Sequence, residues 1–327
     1  MALLPLALSA SGCASAVEET GPASGPSLPG PLPSTVEPGT SSVRHAAYPL
    51  VLVHGYSGFN HIGSLDYFYG VADTLTKQGH RVFVPQLDAF NTSEVRGAQL
   101  VAFLEQRLAE SGAQKVNLIC HSQGGLDCRY AATKLDGRIS AIVTIGTGHR
   151  GSSIADVALG DLPGPLEDAL AFTLDLFGDS ISGDSNVRAA TAQLSTKGAE
   201  AFNLAYPDRP SVAYFSIAGR THGARGDIDC ATPAEPAFIA RYDQFTDPVN
   251  PLFAVPVLIF DSESPRPTYD GMVTVPSARW GTFLGCIPAD HTDEICQIAG
   301  ASPGDGNPFD CQGFYRHLAA WLVNWGF

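Results

Sequence analysis

The segment 116–125, Val-Asn-Leu-Ile-Cys-His-Ser-Gln-Gly-Gly, constrains the fold of this chain more than any other stretch. Its first residues are mostly apolar, which favours a buried strand, whereas the residues from 126 onward favour a helix. Ser122 stands between the two, with Gly124 two residues after it and the small residue Cys120 two residues before it. Small side chains at those positions let a strand and a helix approach each other around a tight turn. The segment therefore predicts a strand–turn–helix whose strained backbone presents the Ser122 hydroxyl at the edge of a sheet.

The rest of the chain alternates apolar runs with stretches that favour helices. Strands are predicted over 48–55, 81–85, 115–120, 139–145 and 212–218, and helices over 67–79, 94–111, 126–135 and 315–325. This alternation predicts an α/β fold in which a mostly parallel central sheet carries helices on both faces. The length of 327 residues and the hydrophobic content of 44% allow one large core. Ligands of such sheets bind beside the carboxyl ends of the strands, where His54, Ser122 and Thr147 fall.

The acidic balance of the chain restricts its partners. The formal net charge is −14, and the sequence contains no block of Lys or Arg. Because nucleic acids and anionic membrane surfaces attract basic proteins, the composition argues against both as partners. An uncharged lipid interface remains open.

The N-terminal region has the features of a targeting segment followed by a linker. Residues 1–13 combine an apolar run with the sequence Ser-Gly-Cys13, which is typical of an export signal that ends in a bacterial lipobox. Because no Lys or Arg precedes Cys13, we expect the signal to start upstream of Met1. Pro, Gly, Ser and Thr dominate 14–45, which predicts a disordered tether. The protein is therefore expected to be exported, either secreted or lipid-anchored at the cell envelope.

Six of the seven cysteines lie beyond Cys13, and an even number in an exported chain favours disulfides. Four of them crowd into the last third of the chain, and we expect these four to pair among themselves, with Cys296–Cys311 as one candidate pair. They are Cys230, Cys286, Cys296 and Cys311. Cys120 and Cys128, on either side of Ser122, are expected to be small packed thiols. Neither a C-x-x-C motif nor a cluster of histidines points to zinc.

A hydroxyl such as that of Ser122 becomes nucleophilic only when a base takes its proton and a third group orients that base. In one common chain order the serine is followed by the acid and then by the histidine. The late histidines are His291, in a polar loop, and His317, among apolar residues of the predicted last helix. Asp270 precedes a β-branched run at a predicted turn, and Asp261 is the alternative acid. The pattern therefore predicts serine hydrolase chemistry, with His291 preferred as the base and Asp270 as the acid.

Seven segments, in the same order along the chain, resemble the bacterial true lipases of family I. These are the Pseudomonas and Burkholderia type of triacylglycerol lipase, in the α/β-hydrolase superfamily. The segments are 48–59, 66–70, 91–97, 116–125, 144–152, 270–273 and 291–297. The resemblance implies Ser122, Asp270 and His291 as the catalytic triad. It also implies the backbone N–H groups of Tyr56 and Gln123 as the oxyanion hole.

The resemblance further implies a structural calcium ion near the histidine loop. Its carboxylate ligands correspond here to Asp247 and Asp293, and carbonyl oxygens of Gln297 and Ala301 would complete the site. Hard oxygen ligands of this kind suit Ca²⁺. No organic cofactor is implied. Many family members need a dedicated membrane-bound foldase, which makes such a partner an expectation for this chain.

Two features depart from the family. Pro276 stands near the position of the family's usual disulfide partner, and 220–247 forms an unusual insertion that contains Cys230. The disulfide pattern of the family is therefore not carried over to this chain.

Residues 46–327 are expected to form the catalytic domain, with a helical lid over about 156–184. That stretch is rich in Leu and Phe and is interrupted by Gly and Pro. The alternative is an ordinary amphipathic helix packed on the core. An apolar lid favours a lipase that acts on lipid at an interface. An esterase acting on soluble short-chain or polymeric esters is the first alternative. An exported binding protein without catalysis is the alternative from another class.

Overall fold

The apolar runs of the chain form a six-stranded parallel sheet in the computed structural model, which describes residues 45–58, 61–62, 65–160, 186–221, 228–297, 303 and 306–327. The strands are β1 (Leu50–Val53), β2 (His61–Ile62), β3 (Leu65–Asp66), β4 (Val82–Phe83), β5 (Val116–His121), β6 (Ile139–Ile145), β7 (Ala213–Gly219) and β8 (Thr282–Ile287). The sheet has the order β4-β1-β5-β6-β7-β8, while β2 and β3 form a separate antiparallel pair. β5, which ends one residue before Ser122, lies between β1 and β6 in the middle of the sheet.

Ten α-helices are present in the described ranges, and they surround this sheet. They are α1 (Val71–Lys77), α2 (Ser93–Ser111), α3 (Gly124–Lys134), α4 (Ser153–Leu159), α5 (Val187–Leu194), α6 (Thr196–Ala205), α7 (Ala237–Ala240), α8 (Ala254–Asp261), α9 (Val275–Ala278) and α10 (Cys311–Asn324). Side chains that cap backbone N–H groups fix where several of these helices begin. The Asn186 carboxamide accepts the N–H of Ala189 at 3.1 Å at the start of α5, and Asp310 accepts that of Gly313 at 2.8 Å at the start of α10.

The core has two halves, one on each face of the sheet. Side chains alternate between the faces along a strand, so neighbouring residues of β5 enter different halves. Ile119 packs with apolar residues of α1 and α10, whereas Leu118 and Cys120 pack with α2 and α3 on the other face. All four residues of β1 are buried. The carboxyl ends of β1 and β5 are therefore held between two layers of packed side chains.

The predicted fold class is confirmed, and the predicted strands and helices along 48–218 agree with the structure to within a few residues. Helix α1 begins at Val71 and not at 67, because Gly70 precedes it with a φ of 66°, which interrupts the helix. The predicted lid over 156–184 is described only as far as residue 160, one residue beyond the end of α4 at Leu159. The predicted signal 1–13 and the tether, except for its last residue, lie outside the described residues. In the part of the chain that is described, no helix is both long and apolar enough to cross a membrane.

The prediction that Cys120 and Cys128 are free thiols is wrong. They form a disulfide, because the end of β5 and the second turn of α3 face each other across the same half of the core. The other two disulfides are Cys230–Cys286 and Cys296–Cys311. They confirm the prediction that the four cysteines of the C-terminal third pair among themselves.

Candidate active site

The turn between β5 and α3 holds Ser122 in a backbone conformation that side-chain-bearing residues rarely adopt. Its φ is 54°, in the left-handed region. The Ser122 N–H donates to the Ile145 carbonyl at 3.0 Å, and the Thr147 hydroxyl donates to the Ser122 carbonyl at 2.8 Å. Gly124 is required because a Cβ there would lie 2.6 Å from the Val53 carbonyl oxygen. This is the geometry of the predicted strand–turn–helix.

A chain of hydrogen bonds joins Ser122 to His291 and Asp270. The Ser122 hydroxyl lies 3.0 Å from His291 Nε2, and His291 Nδ1 lies 2.7 Å from Asp270 Oδ2. Because a carboxylate only accepts, Nδ1 carries the proton and Nε2 is left to accept from the hydroxyl. Asp270 is 1% exposed, and its other oxygen accepts the backbone N–H groups of Met272 and Val273. The structure therefore brings together the three predicted residues in an order suited to moving the hydroxyl proton.

The two alternative residues lie elsewhere. Asp261 is at the end of α8, where it accepts the Tyr269 hydroxyl at 2.7 Å and pairs with Arg266 at 2.7 Å. His317 lies on α10, with its ring stacked on Phe238 at a centroid distance of 6.5 Å. Among the described residues, neither of these groups hydrogen-bonds to Ser122.

Glu294, which no sequence motif predicted, lies beside the hydrogen-bonded Ser122, His291 and Asp270. Its carboxylate is fully buried, with Oε2 at 2.8 Å from His121 Nε2 and 3.6 Å from His291 Nδ1. Burial raises the pKa of Glu294 well above its ordinary value and lowers the pKa of His121 well below its own. Both directions favour a neutral hydrogen-bonded pair over an ion pair. The only signal in the sequence is an ionisable residue one helical turn after His291.

The loop after β1 is fixed from two sides. The Gly55 N–H donates to the Tyr67 hydroxyl at 3.2 Å, and that hydroxyl lies 2.7 Å from His121 Nδ1. The buried Arg96 guanidinium donates to the His54 carbonyl at 2.7 Å and forms an ion pair with the equally buried Asp127 at 2.8 Å. A loop held in this way keeps its backbone N–H groups in place, as stabilisation of a developing negative charge requires. No local sequence pattern predicted these contacts of Tyr67, Arg96 and Asp127.

The predicted oxyanion-hole residues, Tyr56 and Gln123, border the same cavity as the Ser122 hydroxyl. Gln123 is anchored by its side chain, whose Nε2 donates to the Asn91 carbonyl at 2.8 Å. The cavity has a volume of about 90 Å³, and a set of apolar side chains lines it beside these polar groups. They are Ile154, Ala155, Ala158, Leu194, Met272 and Val273. The site is therefore a small apolar cavity with the Ser122 hydroxyl at its wall.

Three carboxylates form a cluster beside His291, two from the loop that presents it and one, Asp247, from an earlier loop. Asp247, Asp290 and Asp293 each place an oxygen within 4.8 Å of the others. Asp247 and Asp293 were predicted ligands, whereas Asp290 was missed. Burial, with the charges of Asp290 and Asp247, raises the pKa of Asp293 to about 9. The three carboxylates repel one another, and their oxygens are the hard donors that a divalent cation such as Ca²⁺ prefers. The cluster therefore fits such a cation.

The two remaining predicted ligands, the carbonyl oxygens of Gln297 and Ala301, stay a prediction. The Gln297 carboxamide donates to the Asp66 carbonyl at 2.6 Å and to the Tyr67 carbonyl at 3.1 Å, which ties the end of the histidine loop to the region of β3. Ala301 lies outside the described residues.

Comparison with solved structures shows a shared fold. A lipase of Bacillus licheniformis in its mature form has a TM-score of 0.58 at 21% identity, with 85% of this chain and 92% of that one covered. A metagenomic carboxyl esterase has a TM-score of 0.58 at 19% identity, with 90% of this chain and 80% of that one covered. At these identities the likeness concerns the fold alone.

Comparison with curated sequences is more specific. A family model for the alpha/beta hydrolase fold matches residues 48–209. A triacylglycerol lipase of Vibrio cholerae is 38% identical over 268 residues, which cover 77% of this chain and 81% of that protein. A triacylglycerol lipase of Pseudomonas fragi is 34% identical over 292 residues, covering 80% and 92%. The predicted resemblance is thereby confirmed, and the chain belongs to the bacterial triacylglycerol lipase family of α/β-hydrolases.

Proposed function

We propose that this lipase hydrolyses carboxylic esters through Ser122 as the nucleophile, His291 as the general base and Asp270 as the group that orients the base. The observation that carries the proposal is the unbroken chain of hydrogen bonds from Asp270 through His291 to Ser122, with distances of 2.7 and 3.0 Å. A base that is held by a buried carboxylate keeps one tautomer and stabilises the imidazolium that forms during proton transfer.

The reaction proceeds in two halves. Ser122 Oγ attacks the ester carbonyl carbon while its proton passes to His291 Nε2. The bond to the alcohol oxygen then breaks, and Nε2 returns the proton to the leaving alcohol. Water attacks the acyl-Ser122 carbonyl and gives a proton to Nε2, which passes it to Ser122 Oγ as the carboxylic acid leaves.

The negative charge on the carbonyl oxygen develops beside the backbone N–H groups of Tyr56 and Gln123, which we assign as the oxyanion hole. Two features support the assignment. Both residues border the Ser122 cavity, and Arg96 holds the preceding strand end through the His54 carbonyl at 2.7 Å. Each such donor is worth about 3–4 kcal/mol of transition-state stabilisation.

The acidic cluster is proposed to bind Ca²⁺ through the carboxylates of Asp247, Asp290 and Asp293. A cation there neutralises the repulsion between Asp247 and the loop that carries His291, and its contribution is structural. Ligation by the carbonyls of Gln297 and Ala301 stays a prediction.

Triacylglycerol is the proposed substrate class, because relatives at 34 and 38% identity are named triacylglycerol lipases and the cavity beside Ser122 is lined by apolar side chains. Esterase activity on soluble short-chain esters is the second candidate, since an apolar wall also accepts a short acyl chain.

Export is proposed for the protein, and its three disulfides support this because such bonds persist in oxidising compartments. Acylation of Cys13 distinguishes a lipid-anchored form from a secreted one, and the mass of the mature N-terminal peptide decides between them. Dependence on a dedicated foldase stays a prediction, tested by the yield of active enzyme on refolding without one.

Turnover of emulsified long-chain triacylglycerol, set against turnover of soluble short-chain esters, tests the proposed function. We expect higher turnover on the emulsion and loss of both activities in the Ser122→Ala variant. Hydrolysis of short-chain esters alone would make the protein an esterase. Full activity of Ser122→Ala would refute the mechanism.

A further inference from the structure

The Cys120–Cys128 disulfide spans the turn that carries Ser122. Cys120 precedes Ser122 by two residues in β5, and Cys128 is the fifth residue of α3. The sequence separation of the pair is 8, and the loop that it closes contains Ser122 and Gln123. Both cysteines are 0% exposed and lie in the half of the core between the sheet and α2. The bond therefore joins the two arms of the turn from the inside of the protein.

The position of Cys120 is one where this kind of turn needs a small residue. Its backbone pairs with Val53 on one side and with Thr144 on the other, and α3 packs above it. The usual residue two before the nucleophile is glycine, and a cysteine adds a Cβ and a sulfur. Bonded sulfurs occupy less space than two separate thiols, so the disulfide accommodates the extra volume and links the strand to the helix.

The turn also needs external support. A residue with a side chain at a φ of 54° is strained, and such strain persists only where the surrounding structure over-determines it. Hydrogen bonds to Ile145 and Thr147 restrain Ser122 from the side of β6. The Arg96–Asp127 ion pair restrains α3 from the side of α2. The disulfide adds a covalent restraint between β5 and the residue next to Asp127.

We propose that the Cys120–Cys128 disulfide is a positioning element, which holds the Ser122 hydroxyl and the Gln123 N–H in their reactive arrangement. The proposal rests on the proposed function, because it assigns the disulfide a part in the reaction at Ser122. With both cysteines fully buried, a thiol reagent reaches the bond only when the fold opens. The disulfide therefore acts as a permanent brace.

Two double variants test the proposal. Cys120→Ala with Cys128→Ala removes the brace without leaving a free thiol. Cys230→Ala with Cys286→Ala is the matched control, because that bond links a short 3-10 turn to β8, outside the loop that contains Ser122. Both variants are expected to melt at a lower temperature than the wild type. All kinetic measurements are made well below both melting temperatures.

Only the Cys120/Cys128 variant is expected to lose turnover. We expect kcat to fall by about 10- to 100-fold with KM on a soluble ester unchanged, since a displacement on the order of 1 Å costs about 100-fold. The rate of phosphonylation of Ser122 should fall in proportion to kcat. A loss of melting temperature alone, or an equal loss of kcat in the control variant, would overturn the positioning role.

A second variant covers failure of the alanine pair to fold. Cys120→Gly with Cys128→Ala restores the small residue that this turn ordinarily has but still lacks the brace, so it is expected to fold and to have a kcat about 10- to 100-fold below that of the wild type. If the glycine variant or the alanine pair has wild-type kcat, the disulfide does not position Ser122. Failure of the proposed function is distinguished from failure of this proposal by the activity of Ser122→Ala, which keeps the Cys120–Cys128 disulfide intact.

Discussion

Removal of a cation from the acidic cluster should loosen the loop that presents His291. Asp247, Asp290 and Asp293 have carboxylate oxygens within 4.8 Å of one another. Two unit charges at that separation repel each other by about 3–4 kcal/mol at an effective dielectric constant of about 20. Three ionised carboxylates cannot be held there without a counter-charge. In its absence the cluster binds protons instead, in agreement with the raised pKa of Asp293.

The size of the effect follows from mass action. A ligand that binds only the folded protein stabilises it by about 2.7 kcal/mol at about 100 times its Kd. For a domain of this size the melting temperature changes by about 2 °C per kcal/mol, so Ca²⁺ at that excess should raise Tm by about 5 °C. Activity should fall on chelation and return with Ca²⁺, because the cation fixes the loop of His291.

Hydrogen bonds of Asp247 and Asp290 limit the loss of activity that removal of the cation causes. Asp290 Oδ1 accepts the N–H groups of Thr292 at 2.8 Å and Asp293 at 2.9 Å, and Asp247 Oδ2 accepts the N–H of Asp290 at 2.9 Å. These bonds remain when the cation leaves. We therefore expect a partial loss of activity, with Ser122 and its strand undisturbed.

Melting curves of the metal-stripped protein, recorded with and without added Ca²⁺, are the assay. Asp293→Asn should abolish the response to Ca²⁺ and leave the metal-free Tm close to that of the wild type, since the neutral amide replaces a carboxyl group that is already protonated when the cation is absent. Asp247→Ala should abolish the response and also lower the metal-free Tm, because it removes the acceptor of the Asp290 N–H. Asp73→Asn, at an exposed position of α1, is the control and should respond as the wild type does. Coincident curves for the wild type, together with an elemental analysis that finds no bound metal, would refute the reasoning.

Three further predictions concern single side chains. Asp270→Asn should lower kcat by about three to four orders of magnitude, because the amide favours the wrong imidazole tautomer, whereas Asp261→Asn should change kcat little. A larger loss of kcat for Asp261→Asn would show that Asp261, and not Asp270, is the acid of the triad. His291→Ala should be as damaging as loss of the nucleophile, and His317→Ala should be mild, as single-turnover acylation rates will show; equal losses in two folded variants would leave the base unassigned. Burial lowers the pKa of His54 to about 3, below its ordinary 6.5. Between these two pH values the unfolded chain therefore binds a proton at His54 that the folded protein does not bind. The unfolding free energy contributed by His54 should therefore fall by up to about 1.4 kcal/mol per pH unit from about pH 6.5 down to about 3. Denaturant titrations of the wild type and His54→Gln check this, and equal pH slopes would contradict it.

Much of the site could be predicted because its residues lie in short, ordered motifs. The alternation of strands and helices determines which strand ends meet at one edge of the sheet, and Ser122 follows such a strand directly. His291 and Asp270 were preferred over His317 and Asp261 from their loop context, and the structure brings only the preferred pair to Ser122.

The residues that were missed make contacts over long sequence separations. Tyr67 meets His121 across 54 residues, and Glu294 meets His121 across 173. No local pattern signals such a contact, because it depends on how the strands and helices pack. The Cys120–Cys128 bond was missed for the opposite reason. The two cysteines are near in sequence and typical of small buried residues, and only the angle between β5 and α3 brings their sulfurs together.

Labelling with an organophosphonate ester tests the central claim most directly. Such a reagent forms a covalent adduct with an activated serine, and mass spectrometry of the digested protein locates it. The mechanism predicts one adduct, on the peptide that contains Ser122, formed at the rate at which activity disappears. It also predicts that Ser122→Ala takes up no label. An adduct on another residue that accompanies inactivation, or inactivation of the protein without an adduct on Ser122, would contradict the assignment of the nucleophile.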